Sequence, residues 1–266
     1  MTTSSLFATK RPIVGMVHLL ALPEAPAYQG SLDAIYDRAL REALVLQEAG
    51  VDALIVENFG DEPYLPGELT FPQIAFMAAV TREIIRAVTI PVGVNCQFNA
   101  WQSEMAIAYS SRAEFIRVEV FVDTVLMAQG QVPPCSAQIR RYQQQLGAKG
   151  VSLWADVQTK YTINLLPQSI QQSARDAQAA GADVLVVTGS ATGQATPLEV
   201  VRQVKEAVHL PVVVGSGTTV SSVREVLQTA DGAIVGSAFK YGGKAENEVS
   251  PEAVRTLMAA AREGDQ

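Results

Sequence analysis

The sequence is poor in sulfur, imidazole and aromatic rings: its 266 residues hold two cysteines, two histidines and 6% Phe, Trp and Tyr. Cys96 and Cys135 can form at most one disulfide, which excludes a Cys-rich secreted scaffold and a thiolate metal cluster and makes a reducing cytoplasm the expected compartment. His18 and His209 are too few for a His-rich zinc site. Long apolar runs are missing too. Ile13 to Met16 and Val184 to Val187 are far shorter than the ~20 residues that cross a bilayer, so a membrane-spanning helix is not expected despite a mean hydropathy of +0.15. Met1 to Lys10 lacks the apolar core of a signal peptide, although peripheral association with a membrane surface stays open. Positive charge is not in excess: 20 basic against 27 acidic residues give −7, with no Lys/Arg block, and that composition disfavours a nucleic-acid partner.

What the chain does have is apolar material, 48% of its residues. At this length roughly 70 to 75% of the extended chain's surface is buried on folding. Short Val/Ile-rich runs alternate with longer segments whose apolar residues recur every three or four positions, which is the βα pattern. The runs predict strands at Ile13 to His18, Ala53 to Glu57, Val92 to Asn95, Phe115 to Val120, Val151 to Val157, Val184 to Thr188, Val212 to Gly215 and Ala233 to Gly236. Helices are expected over Ser31 to Ala49, Phe71 to Ala87, Trp101 to Tyr109, Ser136 to Leu146, Gln168 to Ala180, Leu198 to Ala207, Val220 to Gln228 and Ala253 to Ala261. The cadence "AGVDALIVEN", "AGADVLVVTG", "ADGAIVGS" repeats a helix end, a tight turn and a buried strand. Even spacing favours a TIM-like (β/α)8 barrel over the rival doubly wound sheet. With no linker or composition break, residues 1–266 read as one domain with a core over about 12–262. Asn58 to Thr70 and Phe121 to Cys135 are long loops after strands, on the face where barrel active sites are built.

Polar residues gather at the predicted strand ends, where burial without partners or water costs several kcal/mol, so a pocket accounts for them better than a dry core. His18, Glu57, Glu119, Asp156 and Lys160 are the candidate acid, base or nucleophile groups, with Lys160 also able to neutralise an anion. Glu57, Glu119 and Asp156 offer oxygen atoms to a divalent metal; no organic cofactor is predicted. Asn58, Asp61, Asn95, Arg117 and Thr188 are further pocket candidates, with pairs such as Arg117 and Glu119 alternatively knitting the barrel's upper layer. "VVVGSGTT" and "DGAIVGSAFK" put glycine-bearing turns after the last two strands and resemble a phosphate cup built from Ser216, Gly217, Gly236, Ser237 and Lys240. Gly189 and Gly193 of "VTGSATG" offer a second phosphate or ribose edge, and tight turns also need glycine for conformation alone.

The motifs "GMVHL", "VENFGDEPY", "PVGVN", "FIRVEV", "ADV", "VTGSATG", "VVGSGTT" and "DGAIVGSAFK", in order from Gly15 to Lys240, resemble the BtpA family, named for a photosystem I biogenesis protein. The resemblance implies a TIM-like barrel. It also marks departures. Where relatives carry Asn-x-x-Arg-Asn-Asp, this chain reads Asn95 to Ala100 without the Arg or the acid; Glu119 replaces an Asn, and a Lys-His pair becomes Lys160 and Tyr161. After strand four only Gln129 and Gly130 of the family's pattern remain. Two functions are implied: an accessory protein that stabilises photosystem I reaction centres, with assembly components as partners and a place on the cytoplasmic face of the thylakoid, or an enzyme acting on a small phosphorylated sugar or nucleoside-like metabolite. A metabolite-sensing module is a weaker third. The all-round helical surface leaves room for a homo-oligomer.

Overall fold

The structure is a computed structural model that describes residues 11–263; the leader expectation for Met1 to Lys10 lies outside the described residues. In chain order the strands are β1 (Ile13–His18), β2 (Ala53–Glu57), β3 (Val92–Asn95), β4 (Phe115–Val118), β5 (Val125–Met127), β6 (Gly130–Val132), β7 (Ser152–Asp156), β8 (Ile163–Asn164), β9 (Val184–Val187), β10 (Val212–Val214) and β11 (Gly232–Val235). The helices are α1 (Leu32–Glu48), α2 (Phe71–Ala87), α3 (Trp101–Ser111), α4 (Ser136–Leu146), α5 (Ile170–Ala179), α6 (Leu198–Ala207), α7 (Val223–Thr229) and α8 (Pro251–Arg262). Eight strands close into a parallel barrel in the order β1-β2-β3-β4-β7-β9-β10-β11, with β11 paired back onto β1. The protein is a (β/α)8 barrel, and its barrel elements match the sequence expectation within a few residues at each end.

Within each strand alternate side chains point to opposite sides. Val14, Met16, Ala53, Ile55, Phe115, Trp154, Val184, Val186, Val213 and Ile234 form one closed cluster inside the barrel. Their neighbours in sequence, such as Val17, Leu54, Val56, Ile116, Leu153 and Leu185, belong to the outer layer under the helices. Inside, the Phe115 and Trp154 rings stack at 4.3 Å between centroids. Gly93 faces them because a Cβ there would fall 2.3 Å from the Phe115 ring.

The repeated cadence has a physical purpose at the barrel's lower rim. Its three aspartates each precede a strand and accept a backbone N–H from the first or second residue of a neighbouring strand: Asp52 from Ile13 at 2.7 Å, Asp183 from Leu153 at 2.7 Å and Asp231 from Val212 at 2.9 Å. Hydrogen bonds to charged acceptors contribute about 1.5–3 kcal/mol each, and here they also set the strand register. Three helix starts are capped by serine side chains. Ser31 accepts from the Ala34 N–H, Ser169 from Gln172 and Ser250 from Ala253.

The segment expected as a loop from Phe121 to Cys135 contains the hairpin β5–β6, and β8 joins it to make a three-stranded antiparallel flap over the mouth. Strands of two or three residues are too short for periodicity to register. No helix among the described residues is long and apolar enough to cross a membrane.

Lys240, expected at the phosphate cup, lies elsewhere. The turn Ser237–Phe239 sends its side chain behind the barrel, where the ammonium, 1% exposed, donates to Glu42 Oε2 of α1 at 2.6 Å. Glu42 also accepts from Arg38 Nε at 3.0 Å and the Val249 N–H at 3.2 Å, so this carboxylate ties α1 to the 240–249 segment. Removing one partner of a buried ion pair strands the other charge. Lys240→Met is therefore expected to lower unfolding free energy by about 3 kcal/mol in a urea titration, and the double change Glu42→Leu/Lys240→Met to recover part of that loss.

Candidate functional site

All eight strands of the barrel run parallel, so their carboxyl ends open on one mouth. The same alternation that fills the barrel places the next inward position of each strand there: His18, Glu57, Asn95, Arg117 with Glu119, Asp156, Thr188, Gly215 and Gly236. The apolar layer below leaves these side chains only one another and the mouth.

Arg117 and Asp156 dominate this layer. The Arg117 Nε donates to Asp156 Oδ1 at 2.9 Å and its Nη2 to Oδ2 at 3.0 Å, with both side chains almost wholly buried. Burial opposes the guanidinium charge, but the Asp156 carboxylate outweighs it and Arg117 stays charged. Thr159 Oγ1 adds a bond to Asp156 Oδ2 at 3.2 Å. Beside them, Glu119 accepts from Asn95 Nδ2 at 2.7 Å and from the Asn99 N–H at 3.0 Å. Burial, then the Asp156 charge, pushes the Glu119 carboxyl up to about 8, so at neutral pH it is mostly a protonated acid. Burial also raises Glu57, against the Arg117 charge, and lowers Lys160, whose Nζ donates to Thr192 Oγ1 at 3.1 Å.

His18 is held as a neutral imidazole. Its ring stacks on Phe59 at 4.4 Å, and Nδ1 lies 3.0 Å from the Ala245 carbonyl. A carbonyl oxygen only accepts, so Nδ1 carries the proton and Nε2 presents a lone pair. Burial, then the Lys240 charge, lowers its pKa to about 3.

Two connected cavities occupy the mouth. A chamber of about 390 Å³ is lined by Glu57, Arg117, Glu119, Asp156 and Lys160 together with rings from the loops. A cup of about 50 Å³ adjoins it, sharing Glu57, Phe59, Arg117, Lys160 and Thr192, and is lined by His18, Gly193, Ser216, Gly217, Gly236 and Ser237. The backbone N–H groups of Gly217, Gly236 and Ser237 donate to no group among the described residues. Gly217 has φ +71°, and a Cβ there would sit 2.2 Å from the Gln194 carbonyl oxygen, so the turn after β10 presses directly on the loop after β9. That loop is clasped to the one after β7, because the Thr192 N–H donates to the Tyr161 hydroxyl at 2.6 Å. A broader depression of about 680 Å³ runs along α4 beside Ala180, away from the strand ends.

The structure thus brings His18, Glu57, Glu119, Asp156, Lys160, Arg117, Gly193, Ser216, Gly217, Gly236 and Ser237 to the cavities. Other expected residues stand behind them. Asp61 accepts from the Leu22 N–H, Asn58 Nδ2 and Gln73 Nε2, and Asn58 Oδ1 accepts from the Gln97 N–H; these bonds shape the loop after β2. Asn95 orients Glu119. Gly189 spends its N–H on Ser216 Oγ at 2.8 Å, so it is no phosphate donor. Thr188 lines neither cavity; its methyl packs where a Cβ on Gly215 would go, 2.9 Å away. Glu57, Glu119 and Asp156 share the chamber, but two are committed to Arg117, Asn95 and Asn99, and no group of three His, Cys, Asp or Glu spaced to hold a metal occurs among the described residues. Residue-by-residue reading missed Tyr64, Gln97, Phe98 and Met127 as lining groups. The flap brings Met127 in, and an aromatic residue in a long loop carries no periodic signal.

The family model described as the BtpA family matches residues 9–263. An uncharacterized protein of Pyrococcus abyssi is 37% identical over 243 residues, covering 91% of this chain and 92% of that one. An uncharacterized mitochondrial protein of Caenorhabditis elegans is 33% identical, covering 96% and 95%. The photosystem I biogenesis protein BtpA of Synechocystis sp. is 33% identical, covering 97% and 90%. Among solved structures, the thiamine phosphate pyrophosphorylase of Pyrococcus furiosus superposes with a TM-score of 0.57 at 18% identity, covering 95% of this chain and 96% of that one. The N-(5'-phosphoribosyl)anthranilate isomerase of the same organism gives 0.57 at 16%, covering 94% and 98%. These last two share the fold.

The site's own titration is measurable. Because the folded His18 pKa is about 3 against an ordinary 6.5, unfolding takes up a proton between those values. Its contribution to stability is complete above pH 6.5 and lost as the pH falls toward 3. His18→Phe should flatten the acid limb of a stability-against-pH curve in that window. Nitrogen-15 shifts of His18 at pH 5 should report a neutral ring protonated at Nδ1.

Proposed function

This chain belongs to the BtpA family, and from that premise we propose that it is an enzyme acting on a small phosphorylated sugar or nucleoside-like metabolite. The phosphate docks in the cup and the reacting portion lies on the belt of Glu57, Arg117 and Lys160 shared with the chamber. The observation that carries the reading is the set of unspent N–H groups on Gly217, Gly236 and Ser237 lining one small cavity after β10 and β11. Backbone donors aimed at an anion bind a dianion without adding a mobile charge. They also explain how a chain of net charge −7 can hold a phosphate: the donors are local, and Lys160 and Arg117 lie alongside.

Acid–base chemistry is supplied beside the cup. Glu119, protonated at neutral pH, can give a proton to a leaving or enolising group, and the His18 Nε2 lone pair can accept one from the opposite side of the mouth. Asp156 is spent on Arg117, so its role is to hold that cation in place, and Lys160 supplies a second cation toward the substrate. The neighbours of like fold carry phosphorylated compounds in their names, which agrees with this reading without assigning a reaction.

Photosystem I biogenesis is the name of the Synechocystis relative. Relatives of comparable identity occur in Pyrococcus abyssi and Caenorhabditis elegans, so a role tied to photosystem I is not what these relatives' names share. Photosystem partners and a thylakoid location would belong to the accessory role alone.

The test is binding and turnover with a panel of sugar phosphates and nucleoside monophosphates. At least one should bind in competition with inorganic phosphate, and Glu119→Gln should lower kcat about 10²–10⁴-fold with little change in affinity. Activity should fall as the pH rises through about 8, where Glu119 loses its proton. A panel in which nothing binds, and inorganic phosphate does not either, removes the reading.

A further inference from the structure

The chamber is built for something other than a bare sugar phosphate. Aromatic residues make up 6% of the chain, yet four of the sixteen residues lining the chamber are Phe59, Tyr64, Phe98 and Tyr161. They arrive from three separate loops, after β2, β3 and β7, and Met127 of the flap faces the same space. Core packing accounts for Phe98, which is buried with Val120, Val125 and Val132. Tyr64 and Met127 pack against that cluster yet stay partly exposed, and neither Tyr161, 59% exposed, nor the partly exposed Phe59 belongs to it.

Size and charge divide the mouth in the same way. The cup, about 50 Å³, suits a phosphate group, whereas the chamber, about 390 Å³, falls in the range that encloses a drug-sized molecule. The Arg117 charge in the chamber wall is already answered by Asp156 at 2.9 Å. A second anionic group there would meet Glu62 with only Lys160, on the belt shared with the cup, to answer it, and without a row of free donors like that of the cup. The chamber therefore suits an uncharged, flat, polarisable group. At its rim Gln129 is exposed, and its carboxamide makes no hydrogen bond among the described residues, leaving one donor edge and one acceptor to read a heteroatom pattern.

Resting on the reading that phosphate occupies the cup, we propose that the substrate carries a planar heteroaromatic ring on its phosphorylated sugar, stacked against Tyr64 and Phe98 with its edge toward Gln129. The substrate class is then a nucleoside 5'-monophosphate or a related phosphoribosyl–ring conjugate. A simple sugar phosphate would leave the aromatic side empty.

Calorimetric titration with ribose 5-phosphate, AMP and UMP tests this on the full chain. At least one nucleotide should bind ten or more times tighter than ribose 5-phosphate. Phe98→Leu and Tyr64→Leu should each cut that advantage about 2–12-fold, the worth of an aromatic contact, and leave the ribose 5-phosphate affinity unchanged. Thermal melting checks that each variant folds; if Phe98→Leu does not, Tyr64→Leu, whose ring is partly exposed, carries the comparison. Equal affinities for ribose 5-phosphate and both nucleotides overturn the ring proposal while leaving the phosphate reading standing, as does an equal loss for sugar and nucleotide in the variants. Failure of all three to bind overturns the reading beneath it as well.

Discussion

The guanidinium of Arg117 is buried in the upper layer of a closed barrel, and much of the mouth is arranged around that charge. A cation taken out of water costs several kcal/mol unless it is paired with good geometry. Asp156, 39 positions away in sequence but adjacent in the barrel through the β4–β7 pairing, meets it with two parallel hydrogen bonds. The pair then sets its neighbours. Asn95 donates to the Arg117 carbonyl and to Glu119 at once, which fixes the Glu119 carboxyl near the Asp156 charge that helps to keep it protonated. A Cβ on Gly215 would lie 3.3 Å from Arg117 Nη2, so the strand carrying the cup's first turn approaches the guanidinium closely. One ion pair thus joins the acid side of the mouth to the anion side.

This arrangement separates two tasks that would conflict in a single cavity. Charge-answering backbone donors lie after β10 and β11; the rings and the acid Glu119 lie after β2, β3, β4 and β7. The two regions meet only at the belt of Glu57, Phe59, Arg117, Lys160 and Thr192. His18, made neutral by burial and stacked on Phe59, closes the belt without adding a cation. The bonds of Lys160 and Tyr161 to Thr192 hold the loop after β9 over the join.

Much of this was legible in the sequence because barrel strands obey a short rule. Glu57, Arg117 and Asp156 lie at the carboxyl ends of the apolar runs, and in the structure each stands two positions beyond an inward residue, Ile55, Phe115 and Trp154, and faces the mouth. The recurring Asp of the strand-start cadence had a local signal, although the N–H groups it accepts lie 19 to 39 positions away. The unread portion was long-range. Lys240 looked like a phosphate ligand because it follows a glycine turn, but a 3-10 turn rotates it onto Glu42, 198 positions earlier. Gly189 looked like a donor, and its N–H is taken by Ser216. The flap strands β5 and β8 pair across 37 to 39 positions, and β5, β6 and β8 have too few residues each to show an alternation.

The sequence alone therefore determined the barrel and the acids and bases that head its strands, since short apolar runs and an apolar spacing of three to four residues act within a few positions. Tertiary structure alone decided which of those groups are spent and which are free: Asp156 on Arg117, Glu119 on Asn95 and Asn99, Lys240 on Glu42 and Gly189 on Ser216, against His18 Nε2 and the cup's N–H groups. The physical reason is that hydrogen-bond and charge satisfaction is settled between loops that only barrel closure brings together, and no local pattern records who the partner will be.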